Sequence, residues 1–348
     1  MDAPIGFRGF KLCCLIRACS GRTTAMFNRN AVQSGDELKD FGPTAEAPWL
    51  ATEARSVIWP EWLAMFELDH LAFGARDVEI ACGSFGRLGF ATTPIGMCRW
   101  SIAGRAYHAR SICVVLKRGY LDVIEARDPR WEQQLQSSQI YDRGMAPSGV
   151  VLSSPSVERA RAALSDCGVA IDAPYTIERE LIGADPSIIK YRIFSTRPGG
   201  LPLAVIEDLS PGAMQVRRWT DHPNSAIGIA RFHMRVSSPS ETASQLSGAF
   251  GLQPIRPLST GAWEINVGQA RLVLHDEPVD EILAASSRHV ERTDRPVLIA
   301  IEFEVENLNT TIACLRESGE PTLDFDGGIA VDPNGGYGCG MIFRGPAI

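Results

Sequence analysis

Histidine is scarce in this chain, six in 348 residues, and the nine cysteines include no CxxC pair and no histidine at zinc-like spacing. A structural zinc ribbon and a dithiol redox motif are therefore excluded. The cysteines fall in apolar stretches, as at Cys113 and Cys314, which reads as reduced core thiols and predicts a cytoplasmic setting. No apolar run reaches the ~18 residues of a membrane span. Positive charge is also short: 34 Lys and Arg stand against 41 Asp and Glu, a net charge of −7. Without a basic surface, nucleic acid is excluded as the main partner. The glycines of NGGYGCG precede a strand and not a helix, which argues against a phosphate loop. No Ser-His-Asp or Cys-His arrangement can be assigned from spacing. What remains is 45% hydrophobic and 22% charged residues, enough for a real core and long enough for two domains.

The first 35 residues differ from the rest. Arg8, Lys11, Arg17, Arg22 and Arg29 face a single acid, Asp2. Organelle transit peptides have that composition. The reading taken here is a poorly ordered tail over residues 1–64, or an upstream start, with Met65 directly before the first convincing strand.

Beyond Met65 one pattern recurs four times: apolar strand, capped helix, run of strands. FELDHLAFGARDVEIACGSFGRLGF opens the first copy, with Asp77 as N-cap and an exit near Gly89. SGVVLSSPSVERARAALSDCGVAI opens the second, with Pro155 in the first helical turn and Gly168 as the exit. IARFHMRVSSPSETASQLSGAFGLQP opens the third, and VLIAIEFEVENLNTTIACLRESGEP the fourth, capped by Asn307. Such a unit cannot bury its sheet face alone, so the copies should pair, one with two and three with four. The predicted fold is α+β: four βαβββ modules, residues 66–126, 147–208, 226–276 and 296–345, forming two paired domains, 65–208 and 226–348. A turn-rich linker, residues 209–225, joins them. Spacing leaves open whether a pair closes within one chain or across a homodimer.

This order of elements resembles the vicinal oxygen chelate (VOC) superfamily of glyoxalases, extradiol dioxygenases and bleomycin-resistance proteins. LDHLAFGARDVE, GYLDVIEARDP and LPLAVIEDLSP look most like its glyoxalase-like domains, and WTDHPNSAIGIA is similar to the linker that often follows them. The resemblance implies two half-barrels, each around a cavity. It also implies one divalent metal (iron, manganese, zinc or nickel) held by the first and fourth strands of each module.

Strand parity tests those positions. Leu71 and Phe73 belong beneath the helix, which turns His70 to the cavity; Leu121 and Val123 likewise turn Asp122 inward. His70 and Asp122 thus match the family's ligand positions, and read equally as catalytic base and acid. In the second module Gly149 and Ala204 stand at the matching positions, and Glu207 supplies a third metal ligand only in a different register. The third module places His233 opposite His70. If alternation holds, His233, Arg235, Arg271 and His275 share one cavity, and with Ala300 facing them that cavity suits an anion better than a metal. His108 with Arg110, and Lys190 with Arg192, share strand faces and are candidate substrate contacts, or solvated edge charges. His222 reads as a turn residue.

Two functions fit: an enzyme enolising a small carbonyl or vicinal-oxygen substrate (lyase, isomerase or dioxygenase chemistry), or a protein that sequesters a small molecule, as bleomycin-resistance proteins do. Both predict a small-molecule partner, anionic at the second cavity, and neither involves nucleic acid or a membrane.

Overall fold

A computed structural model describes residues 66–126, 144–182, 187–258, 261–277, 281–287, 295–331 and 337–346. The tail expected over residues 1–64 lies outside the described residues. The first module holds β1 (Glu67–Ala75), α1 (Val78–Arg87), β2 (Gly96–Ile102), β3 (Arg105–Val115) and β4 (Tyr120–Glu125). The second holds β5 (Met145–Ser153), α2 (Val157–Asp166), β6 (Tyr175–Glu180), β7 (Ile188–Thr196) and β8 (Leu203–Asp208). A short helix, α3 (Arg217–Thr220), lies in the connection to the third module. That module comprises β9 (Ala226–Arg235), α4 (Pro239–Phe250), β10 (Pro254–Pro257), β11 (Trp263–Val267) and β12 (Ala270–His275). After α5 (Glu281–Ser287) come β13 (Val297–Val305), α6 (Leu308–Glu317), β14 (Thr322–Phe325), β15 (Gly328–Val331) and β16 (Gly340–Arg344).

Helix starts follow local chemistry. Asp77 caps α1 by accepting from the backbone N–H of Glu79 (2.8 Å) and Ile80 (3.3 Å), and Asn307 caps α6 by accepting from Thr310 N–H (3.1 Å). Ser238 stands at the N-cap position of α4 without a side-chain capping bond, and Pro239 is the helix's first residue. The second helix corrects the expectation: its cap is Ser156 and its first residue Val157, so Pro155 precedes the helix. A serine hydroxyl satisfies an orphan N–H there, which proline cannot do.

The modules pair within the one chain, β1 antiparallel to β5 and β9 antiparallel to β13. The first pair closes into a barrel, β1-β4-β3-β2-β6-β7-β8-β5. Its seam is β2 against β6, where Cys98, Arg99 and Trp100 face Arg179, Glu178 and Ile177. Gly96 lets the strands approach, because a Cβ there would overlap the carbonyl of Glu180. The second pair remains an open eight-stranded sheet, β10-β11-β12-β9-β13-β16-β15-β14. Its edges are two four-residue strands, β10 and β14, and β10 begins and ends in proline, which lacks the N–H needed to extend a ladder.

The helix-facing sides of both sheets share one apolar core, including Phe73, Val123, Val205, Phe232, Ile301 and Phe343. Phe90 sits among them, 5.1 Å from the ring of Phe303 and 5.8 Å from Phe343. The interior of the barrel is a second, separate apolar cluster, and α5 packs a third against the inner face of the open sheet. Among the described residues no helix is long and apolar enough to cross a membrane.

Candidate functional site

The barrel interior is built by the alternate residues of its strands. Tyr120 and Cys113 face inward, with Val151, Ile189, Tyr191, Ile193 and Ile206 from the second module. Ala72 and Ala204 pack against them and stay half-buried, as does Asp122, so solvent reaches this part of the interior. The connection after β8 folds over the barrel: Met214 and Trp219 belong to the same cluster. His222 fixes that connection, accepting from Ala91 N–H at Nδ1 (3.0 Å) and donating from Nε2 to the Val115 carbonyl (2.9 Å). Burial lowers the His222 pKa, outweighing the bond to Val115, which keeps it a neutral structural clasp.

His70 lies inside the barrel with its ring stacked on Tyr120, centroids 4.4 Å apart. Its Nδ1 is 2.6 Å from Asp69 Oδ1. Strict alternation would turn Asp69 outward, but the β1–β5 register shifts between Leu68 and His70, and this bulge brings the two side chains together. With Nδ1–H donated to Asp69, Nε2 is the nitrogen left to exchange a proton with a ligand. Asp122 stands on the same face of the neighbouring strand, Ala72 opposite it and Tyr120 opposite His70. The Cys113 thiol donates to Asp122 Oδ1 at 3.4 Å, and burial pushes that thiol well above its ordinary pKa, so it is no nucleophile.

One interior residue had no place in the sequence reading. Arg179, from β6, is 2% exposed and donates to Ser111 Oγ (2.9 Å), Thr93 Oγ1 (2.9 Å) and Met214 Sδ (3.5 Å). A lone arginine at the inward parity of TIERE, in line with Tyr175 and Ile177, was the available signal.

The other first-pair candidates lie elsewhere. Glu207 corrects the metal expectation: it faces the helix side of β8, where Oε2 accepts from Val157 N–H at 3.0 Å. Inward positions of that strand belong to Ala204 and Ile206. Glu125 plays the same part in the first module, accepting from Val78 N–H at 3.5 Å. Arg110 is outside too, gripping Glu125 with Nε (3.0 Å) and Nη2 (2.5 Å) and Glu79 with Nη1 (2.7 Å). His108 is exposed on the same outer face of β3, opposite Arg99. Lys190 pairs with Glu178 (2.7 Å) and Arg192 with Glu158 (2.5 Å), both outside, because Ile189, Tyr191 and Ile193 take the inner face. None of the four charged side chains lines the barrel interior; water solvates the outer face, and the apolar alternates go in.

In the open sheet His233 and His275 do meet. His233 Nδ1 is 3.0 Å from His275 Nε2, and His233 Nε2 is 2.9 Å from Glu302 Oε1. Glu302 Oε2 accepts from Arg344 Nε (2.7 Å) and Arg231 Nη1 (3.2 Å). Arg231 and Arg271 both donate to Glu264 Oε1, each at 3.2 Å. Arg235 is buried opposite His275. The expected acid-free, anion-binding cavity is therefore corrected: Glu302 and Glu264 sit within it and Arg271 is already ion-paired. Glu302 lies two residues beyond Ala300 on β13, at the same inward parity. Burial alone would raise its pKa, yet the bond to His233 with Arg344 and Arg231 holds it at about 2.

Neither cavity fits a metal as its donors stand. In the barrel Asp69 is bonded to His70 Nδ1 and so serves the histidine, which leaves His70 and Asp122, one short of the three protein ligands of a catalytic site, with Gly149 and Ala204 on the same inner wall. In the open sheet each ring nitrogen of His233 is engaged by a different neighbour, so the donors form a chain and not a convergent set. Among the described residues no three His, Cys, Asp or Glu side chains converge on one point. The chain His275–His233–Glu302 can pass a proton but does not chelate.

Comparison with known proteins gives the following. A sequence family described as "Glyoxalase-like domain" matches residues 68–250. No curated protein matches the sequence significantly. Among solved structures, a hypothetical protein from Staphylococcus aureus is similar at a TM-score of 0.57 and 10% identity, over 81% of this chain and 100% of that one. The Mn(II)-bound glyoxalase from Novosphingobium aromaticivorans aligns at 0.50 and 12% identity, over 81% and 82%. A mutant 4-hydroxymandelate synthase from Streptomyces coelicolor aligns at 0.50 and 12%, over 82% and 94%. At such identities the likeness concerns the fold.

Proposed function

Since the chain belongs to the glyoxalase-like domain family, within the VOC superfamily, we propose that its barrel is the active site of an enzyme that enolises a small oxygenated carbonyl substrate by acid–base catalysis. The observation that carries this reading is the Asp69–His70 dyad at the β1 bulge, facing the same solvent-reached interior as Asp122. Asp69 fixes the imidazole's tautomer and orientation. His70 Nε2 and the Asp122 carboxylate are the two groups that exchange protons with substrate: one removes the proton beside the carbonyl, the other delivers a proton to the enolate. A metal-assisted version, with iron, manganese, zinc or nickel, needs a third converging donor, which the described residues of the barrel do not supply, so the proposal runs through the side chains alone.

The test is solvent-deuterium exchange at the carbon beside the carbonyl, followed by NMR across a panel of 2-oxo aldehydes, ketones and 2-oxo acids. Exchange should be catalysed by the native chain and fall by about 10²-fold or more in His70→Asn and in Asp122→Asn, with circular dichroism unchanged. Metal content measured on the same samples should not track activity. The apolar inner wall supports a second reading, sequestration of a small molecule without chemistry. Ligands that bind the barrel while no carbonyl in the panel exchanges would overturn the enzyme reading in its favour.

A further inference from the structure

Arginine in this chain is generally matched by a carboxylate. Arg110 has Glu79 and Glu125, Arg192 has Glu158, Arg231 has Glu264 and Glu302, and Arg344 has Glu302. Those guanidiniums are all partly exposed, where an ion pair is worth little. Arg179 is the reverse case. It is far more buried than any of them, and its partners are a serine, a threonine and a methionine sulfur. An arginine cannot shed its proton in a protein, and a buried cation without a counter-charge is costly.

Among the described residues no carboxylate is hydrogen-bonded or ion-paired to Arg179. Cys98, opposite Arg179 across the barrel seam, is pushed up to about 11 by burial, and burial likewise raises Cys113 and Tyr191, so all three are neutral. Asp122 is the carboxylate whose charge acts on Arg179, without a hydrogen bond between them. Ser111, bonded to Arg179, and Cys113, bonded to Asp122, are two residues apart on β3, and Thr93 Oγ1, which accepts from Arg179, also accepts from Cys113 N–H at 2.9 Å, so Arg179 and Asp122 serve the same stretch of the inner wall. The wall beside it is apolar, from Ile189, Tyr191, Ile193, Met214 and Trp219.

We propose that Arg179 is the anion-holding residue of the barrel, and that the substrate is a monocarboxylate with an apolar body, its carboxylate on Arg179 and its reacting carbon towards Asp122 and His70. This inference rests on the barrel being the active site. The guanidinium keeps its bonds to Ser111 and Thr93, and the incoming carboxylate supplies the missing negative charge.

Calorimetric titration of the full chain with 3-phenylpropanoate, 3-phenylpropanamide and inorganic phosphate tests this. The carboxylate should bind at least tenfold more tightly than the isosteric amide and than phosphate. Arg179→Met should bring the carboxylate down to the amide's affinity while leaving the Tm of the free protein unchanged or higher, since an unpaired buried charge has been removed. Arg179→Lys, which keeps the charge, should retain the carboxylate preference. Equal affinity for carboxylate and amide in the native chain would overturn the proposal, as would a carboxylate preference that survives Arg179→Met; phosphate matching the carboxylate would overturn the apolar-body part. His70→Asn separates the two ideas, because it should abolish exchange and keep the carboxylate preference. Exchange without that preference sinks this inference alone; the preference without exchange sinks the enolising reading alone.

Discussion

Glu302 shows what single residues contribute and where they hide. It is an anion buried between one histidine and two arginines, with a pKa of about 2 against an ordinary 4.5. A carboxylate whose folded pKa is depressed stabilises the fold fully above its unfolded value and loses that contribution as pH falls from about 4.5 towards 2. The contribution is roughly 3 kcal/mol at 1.36 kcal/mol per unit. His222 behaves oppositely in charge: burial keeps it neutral, so the unfolded chain binds its proton first and stability falls as pH drops below 6.5. Urea unfolding across pH 7 to 2 should therefore show two declines, and Glu302→Gln should remove the lower one while leaving the upper; an unchanged lower decline would refute the network's role. Alternation in the sequence was enough to place His70, Asp122, His233 and His275 on inner faces. It does not show the pairing of Asp69 with His70, because a bulge is a property of two paired strands, nor the roles of Glu302 and Arg179, which have partners 69 and 68 residues away.

At the scale of elements, the same device recurs in both modules of the barrel: a glutamate at the end of the fourth strand accepts the first helical N–H, Glu125 for Val78 and Glu207 for Val157. A carboxylate at a helix N-terminus is favoured by the macrodipole as well as by the hydrogen bond. Glu207→Ala should therefore cost about 1 kcal/mol of stability, measured by urea unfolding, and leave deuterium exchange untouched. A loss of exchange with the fold intact would return Glu207 to the site. The helices themselves were readable, since Asp77, Ser238 and Asn307 signal their starts locally. Pro155 misled by two positions, because the decisive group was the Ser156 hydroxyl and the helix begins at Val157. WTDHPNSAIGIA proves to be a clasp: His222 bonds Ala91 and Val115, and Asn224 donates to the Leu88 carbonyl at 2.7 Å.

Across the whole molecule, two pairs of similar modules meet different ends. The seam of the barrel depends on Gly96, and Gly96→Ala should destabilise by ~1–3 kcal/mol through overpacking against Glu180, seen as a lower urea midpoint with the open sheet's Glu302-dependent acid decline preserved. A neutral outcome would mean the seam tolerates a methyl group and closure rests elsewhere. In the NGGYGCG stretch Gly338 has φ 76° and lies so near Met145 and Ala146 that a Cβ there would overlap them, a close approach between the two halves. What the sequence determined by itself was whatever is local: four modules, the starts of three of their helices, and, away from the β1 bulge, the face on which strand residues stand, because hydrophobic alternation and capping act over a few neighbours. Tertiary structure alone decided that one sheet closes and the other stays open, that a bulge turns Asp69 onto His70, that Glu207 and Arg110 serve helices, and that Arg179 is buried without a carboxylate. Each of those depends on register and charge pairing between segments far apart in the chain, which periodicity does not encode.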